Sequence, residues 1–214
     1  MTYGSPETLL RVLAGRGIHD QRLLDAFAAV RRVDFVPKEF SGEAYLDEPI
    51  NIGHAQVTTQ PSLIASMVQA LRLTGSEKVL EIGTGFGFQT AILSKLCREV
   101  FSIEILAELA KAAGSNLKKA GILNATVVVG DGSLGLPGEA PFDAVIVSAA
   151  APQVPQPLVD QLADGGRLVQ PIGPGGAETV TAFQKIQGAL VETEVVTGAY
   201  FVPLVGAFGI RSDH

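Results

Sequence analysis

Val79-Leu80-Glu81-Ile82-Gly83-Thr84-Gly85-Phe86-Gly87 is the stretch from which the architecture follows. The short apolar run Val79 to Ile82 predicts a buried parallel strand. It ends in three glycines at alternate positions. Without a Cβ, such a turn takes positive φ and lets a ligand lie against bare backbone. From Phe88 the pattern is helical, with Phe88, Ala91, Ile92 and Leu96 on one face. Strand, glycine turn and helix make the first half of a nucleotide-binding βαβ unit, with the free N–H groups of the helix start turned toward the ligand.

The glycine spacing bears on which nucleotide. Gly83, Gly85 and Gly87 read Gly-x-Gly-x-Gly, and Phe88 stands where a dinucleotide fingerprint places its last glycine. That weakens a dinucleotide reading. A second run, Val100 to Ile103, ends in Glu104, 19 residues after Gly85, where an acid suits a ribose hydroxyl pair. A third, Ala125 to Val129, runs into Gly130-Asp131-Gly132, whose acid is placed to accept from an adenine amino group. Read alone, each of Glu81, Glu104 and Asp131 leaves open the lesser reading of a solvated strand end. Together they mark the same end of three neighbouring strands.

The remaining chain surrounds this unit. Helices are expected over residues 5 to 16 and 19 to 32, with Asp20 a candidate N-cap for the second. Arg31-Arg32 reads as a solvated helix end rather than an anion site, and Phe35-Val36-Pro37 stops the helix. Residues 41 to 61 are polar and aperiodic, a loop long enough to be a lid. A helix follows from Pro61 to Leu71. Beyond it come a helix from Ala107 to Ala120, a strand from Phe142 to Val147, a short helix over 156 to 163 and a strand over 165 to 173. Residues 179 to 187 and 189 to 197 form an antiparallel pair turning at Gln187-Gly188, and an extended tail follows at Tyr200 to Leu204.

The expected fold is therefore α/β: a mostly parallel doubly wound sheet, an antiparallel closing pair and an N-terminal helical cap. Its 214 residues form one domain, with helices and lid over 1–60 and the core over 61–214. A net charge of −6 argues against nucleic acid or an anionic membrane as main partner. The N-terminus carries no apolar leader, and no apolar run approaches the ~18 residues of a membrane span. The lone Cys97 allows no intrachain disulfide, which fits a cytoplasmic setting, and reads as a packing residue. No metal site is expected, and the chain is expected to be a monomer or weak homo-oligomer.

Several segments together resemble the protein-L-isoaspartate (D-aspartate) O-methyltransferases. They are Phe35-Val36-Pro37, Ala44-Tyr45 with Asp47, Ile52-Gly53, Gln60-Pro61, the glycine turn, Ser102-Ile103-Glu104, Gly130-Asp131-Gly132, Ala149 to Pro152, Gly165 to Val169 and Phe201-Val202-Pro203-Leu204. The glycine turn is common to every class I methyltransferase; the lid and the Phe-Val-Pro-Leu tail are more specific. The resemblance implies a Rossmann-like class I fold with S-adenosyl-L-methionine as cofactor. Glu81, Gly83, Thr84 and Gly85 would line its methionine end, Glu104 would hold the ribose, and Asp131 and Gly132 would meet the adenine. It implies as substrate the free α-carboxylate of L-isoaspartyl residues, and of D-aspartyl residues, in damaged proteins, with the methyl ester collapsing to a succinimide.

The family's lid usually reads Gly-Gln-Thr-Ile-Ser-Gln-Pro, where this chain has Ala55-Gln56-Val57-Thr58-Thr59-Gln60-Pro61. Thr59 stands at the active-site serine and is the expected catalytic residue, orienting the acceptor carboxylate; it is also placed to start the helix at Pro61. Val57 loses a hydroxyl and Thr58 gains one. His54, Gln56, Thr58 and Val202 are the expected substrate contacts, and Asp47 is expected to order the loop. The altered lid leaves a second reading: the same chemistry on another acceptor, such as a specific aspartate in a peptide natural product or a small acid. A third is a cofactor-binding module that transfers nothing.

Overall fold

The computed structural model describes residues 4–174 and 176–210. Two amphipathic helices lead, α1 (Pro6–Gly15) and α2 (Gln21–Ala29). Ser5 caps the first by accepting from Thr8 N, and Asp20 caps the second by accepting from Arg22 and Leu23 N–H, the role expected of it. A two-stranded hairpin follows, β1 (Ile50–Gly53) and β2 (Gln56–Thr58), and then α3 (Pro61–Leu71). The core alternates β3 (Lys78–Ile82), α4 (Phe88–Ser94), β4 (Glu99–Glu104), α5 (Ala107–Lys119), β5 (Ala125–Val129), β6 (Phe142–Val147), α6 (Gln156–Gln161) and β7 (Leu162–Ile172). It closes with β8 (Glu178–Ile186) and β9 (Ala189–Ala199).

Seven strands form one sheet in the order β5-β4-β3-β6-β7-β8-β9. The first five run parallel, and β8 and β9 add antiparallel. The chain moves outward from β3 to β5, then crosses back to place β6 on the other side of β3. A ligand crevice belongs at the C-terminal ends of the strands flanking that reversal. Both faces of the sheet are covered. Val79, Ala144 and Ile146 join the core of α1 to α4, whereas Leu80, Val145 and Val147 join the opposite core with Leu158 of α6. Burial on both faces is why β3 and β6 read as unbroken apolar runs. At the β8–β9 turn, Gln187 and Gly188 both have positive φ, +52° and +83°, as a two-residue hairpin requires.

Three expectations fail here. The strand expected over 165–173 starts earlier, at Leu162. The stretch 41–61 is not aperiodic loop throughout: it holds the β1–β2 hairpin, with Ile50 opposite Thr58. Its two turn residues, His54 and Ala55, sit at φ +54° and +56° without a glycine to announce them. And Arg32 is not a solvated helix end. Arg31 is, 70% exposed beside Asp34, but Arg32 is fully buried.

Arg32 organises the lid from below. Its Nη1 donates to the carbonyls of Ala44 (3.2 Å) and Leu46 (2.9 Å), and its Nη2 to those of Glu48 (3.1 Å) and Thr59 (3.3 Å). Burial lowers its pKa to about 10, against the pull of Asp47, so the charge persists at neutral pH. Asp47 in turn accepts from Ser62 N at 2.8 Å, satisfying one of the free donors at the start of α3, which has no capping side chain from Gln60. This is the ordering role expected of Asp47. Arg32→Met keeps the stem but leaves four carbonyls without their donor. We expect it to lower the unfolding free energy by on the order of 3 kcal/mol, read from urea denaturation.

Candidate active site

The turn after β3 is built from backbone. Gly83, Gly85 and Gly87 all hold positive φ, +93°, +56° and +91°, which a Cβ would penalise. Gly87 is the left-handed N-cap of α4. A cavity opens over this turn, walled by the turn itself, Glu104 and Ile105 from the end of β4, Gly132, lid residues Ile52 and Gln56 to Thr59, and tail residues Val202 to Val205.

Glu104 is the charged group on that wall. Its Oε2 accepts from Gly85 N (2.9 Å) and its Oε1 from Leu106 N (3.1 Å), so both oxygens are fixed. Ile105 beside it stays 46% exposed, an apolar surface turned into the cavity. On the far side Gly132 leaves no room for a side chain: a Cβ there would stand 2.3 Å from Ile82 Cγ2. Asp131 does not reach the wall; it accepts from Ser133 N and Oγ and from Ala207 N, tying the tail to the end of β5. Burial alone would raise its carboxyl, but these hydrogen bonds together hold it below the usual range.

Glu81 is placed behind the cavity rather than in its wall. It is fully buried and accepts from Gln89 Nε2 (3.0 Å), Thr90 Oγ1 (2.5 Å) and Ser102 Oγ (2.6 Å). Burial lifts its pKa to about 7 in spite of those three donors, with Glu104 adding to the rise. The residue between it and the cavity is Gln89, which also donates to Ser148 Oγ at 2.9 Å. Ser148 lines the cavity at the end of β6, where the small residues Ser148 to Pro152 were expected to let a ligand approach; Gln89 lines it too and was not singled out in the sequence. The available signal was a polar residue among the apolar positions of α4. Thr84 lines the cavity too, its hydroxyl 2.5 Å from Ser102 Oγ.

A second cleft, about 730 Å³, lies between α3 and the end of β9. It meets the first cavity at Val57, Thr59, Ser148 and Val202, which line both. Thr59 therefore stands at the junction. Gln56 and Thr58 line only the first cavity, and His54, exposed at the hairpin tip, lines neither.

The cavity's donor set can be tested against an adenosyl sulfonium. Among the described residues, its wall carries Glu104 and no Lys, Arg or His. A pyrophosphate finds no cationic partner there, whereas a nucleoside bearing a positive sulfur meets one acid and otherwise apolar or neutral polar groups. The residues fit. Among the described residues, no cluster of His, Cys, Asp or Glu is arranged to hold a metal ion, and no helix is long and apolar enough to cross a membrane.

The family model for protein-L-isoaspartate(D-aspartate) O-methyltransferase matches residues 5–209. The chain belongs to this family. It is a methyltransferase. A protein-L-isoaspartate O-methyltransferase from Myxococcus xanthus is 47% identical over 91% of this chain and 93% of its own. One from Methanoculleus marisnigri is 46% identical over 94% and 91%. Among solved structures, a protein-L-isoaspartate O-methyltransferase superposes with a TM-score of 0.84 at 27% identity, over 96% of this chain and 67% of that one. A Plasmodium falciparum chain described as the same enzyme, in complex with S-adenosyl-L-homocysteine, superposes with a TM-score of 0.80 at 23% identity, over 95% and 99%. The expected class I fold with its antiparallel closing pair is the one observed.

The raised carboxyl of Glu81 has a consequence for stability. Between the ordinary value of 4.5 and about 7 the folded chain keeps a proton that the unfolded chain has lost. Stability therefore falls as pH rises through that window. Thermal unfolding should show Glu81→Gln gaining on the wild type from pH 4.5 to 7, with the difference levelling off above. A difference that stays constant with pH would contradict it.

Proposed function

We propose that the protein transfers the methyl group of S-adenosyl-L-methionine to the free α-carboxylate of L-isoaspartyl residues in damaged polypeptides, with Thr59 seating the acceptor. The observation that carries this is the shared wall: a cavity suited to an adenosyl sulfonium meets a polypeptide-sized cleft at Thr59 and Val202.

Bound in the first cavity, S-adenosyl-L-methionine supplies an electrophilic methyl group. Glu104, its oxygens fixed by Gly85 and Leu106 N–H, would accept from the ribose hydroxyls. Gly132 and Ile105 would hold the adenine, and Asp131 holds the tail beside that end. Gly83 and Gly85 bring backbone to the methionine end, while Glu81 orients Gln89 from behind.

The acceptor makes few chemical demands. A carboxylate with a pKa near 4 is ionised at neutral pH and needs no general base. The chain's task is to hold that oxygen in line with the methyl at about 3 Å. The Thr59 hydroxyl donates to it, and Val57 and Val202 exclude water on either side. Gln56 and Thr58 shape the lid over the same point, and His54 is left to the polypeptide passing the hairpin tip. The methyl ester then closes to a succinimide, whose hydrolysis returns part of the material to a normal aspartyl linkage.

An isoaspartyl peptide should accept a base-labile methyl from labelled S-adenosyl-L-methionine while its aspartyl twin does not. Labelling of neither peptide, but of another carboxylate in a substrate panel, would favour the alternative acceptor. Thr59→Val should lower kcat by about tenfold or more, the loss of one hydrogen bond to a charged group, with cofactor affinity by titration nearly unchanged. Unchanged kcat would remove Thr59 from the mechanism.

A further inference from the structure

The cleft beside Thr59 does not end where the methyl acceptor sits. It continues into a third depression, about 680 Å³, between the α1–α2 turn, the end of α3 and β9. The two share Arg16, Ser66 and Val196, so they form one trough running along α3. Ser62, Ser66 and Gln69, at four- and three-residue spacing, fall on one face of that helix and line it. The opposite wall comes from β9, the edge strand of the sheet.

Most charges around this trough are already engaged. Asp20 caps α2. Glu194 pairs with Arg72 at 3.6 Å. Glu178 is 2% exposed and accepts from Phe201 N. Arg16 is different. Its side chain is 66% exposed, its nearest acid is Asp47 Oδ2 at 4.0 Å from Nε, and its side chain makes no hydrogen bond among the described residues. On a chain of net charge −6, this exposed guanidinium, held to Asp47 only by a 4.0 Å contact, stands where the two parts of the trough join.

We propose that Arg16 forms a specificity subsite that reads an acidic side chain flanking the isoaspartyl residue of the substrate. This rests on the methyl-transfer reading above. The spacing follows from helix geometry. Ser62 lines only the part of the trough that holds Thr59, whereas Ser66 and Arg16 line both parts; four helical residues rise about 6 Å. An extended chain covers that in about two residues at ~3.3 Å each. The acidic residue therefore lies two or three positions from the isoaspartyl residue. A guanidinium forks onto a carboxylate with two parallel hydrogen bonds, and the partial exposure of Arg16 keeps the gain modest.

The test uses isoaspartyl peptides carrying Glu, Gln or Lys two or three positions to either side, assayed with the full chain. We expect the Glu peptide to exceed its Gln counterpart in kcat/KM by about two- to fivefold at one of these positions, the scale of an exposed ion pair. Lys should fall below Gln, and the spread should shrink at ~0.5 M salt. Arg16→Gln should abolish the Glu-over-Gln ratio and Arg16→Glu should reverse it in favour of Lys, with thermal unfolding verifying that both variants fold. Equal kcat/KM for Glu and Gln peptides that turn over would overturn the subsite alone. A Glu preference surviving in Arg16→Gln would overturn its assignment to Arg16. No turnover of any isoaspartyl peptide would overturn the parent reading and the subsite with it.

Discussion

The lid depends on one buried guanidinium. Arg32 gathers four carbonyls that belong to three separate parts of the segment, Ala44 and Leu46, Glu48, and Thr59. No strand ladder could do this, because the segment has only a short hairpin of its own. A planar group with five donors can satisfy several converging acceptors at once. The carbonyl of Ala44 is buried and needs an internal donor, and the other three are partly buried. The cost of burying the charge is met by those bonds and by Asp47, which also secures the start of α3. The backbone of Thr59 is thus fixed by a side chain 27 positions earlier, and its side chain is presented to the junction between cavity and cleft.

Electrostatics divides the site into complementary halves. The cofactor wall presents Glu104, with Glu81 behind Gln89, so the local field is negative where a sulfonium belongs. The acceptor is itself an anion and would be disfavoured by that field alone. A sulfonium bound in the first cavity would set its positive charge against the acceptor's negative one, so that the two together would carry no net charge. The groups shared by cavity and cleft are correspondingly neutral, a hydroxyl at Thr59 and apolar side chains at Val57 and Val202. Arg16 stands further along the trough and is not part of the cofactor wall.

The sequence carried the core because its signals are local. Each parallel strand announces itself by a run of apolar residues, and each glycine of the turn by the absence of a side chain. Asp20 is visible as a cap from its neighbours alone. The strand ends bearing Glu104 and Asp131 follow from the same pattern, since side-chain direction along a strand is set by a period of two. The hairpin at His54-Ala55 was not legible because neither turn residue is a glycine; the lid's packing, not local preference, holds them at positive φ.

What the sequence determined by itself was the order of elements, the sheet's parallel character and the family to which its motifs belong, because each depends on residues close together in the chain. The tertiary structure decided that Arg32 is a buried anchor and not a surface charge, that Glu81 stands behind Gln89, that Asp131 binds the tail, and that Thr59 joins two cavities. Those facts depend on which distant backbone groups a side chain reaches once it is buried, and hydrophobic periodicity carries no information about that reach.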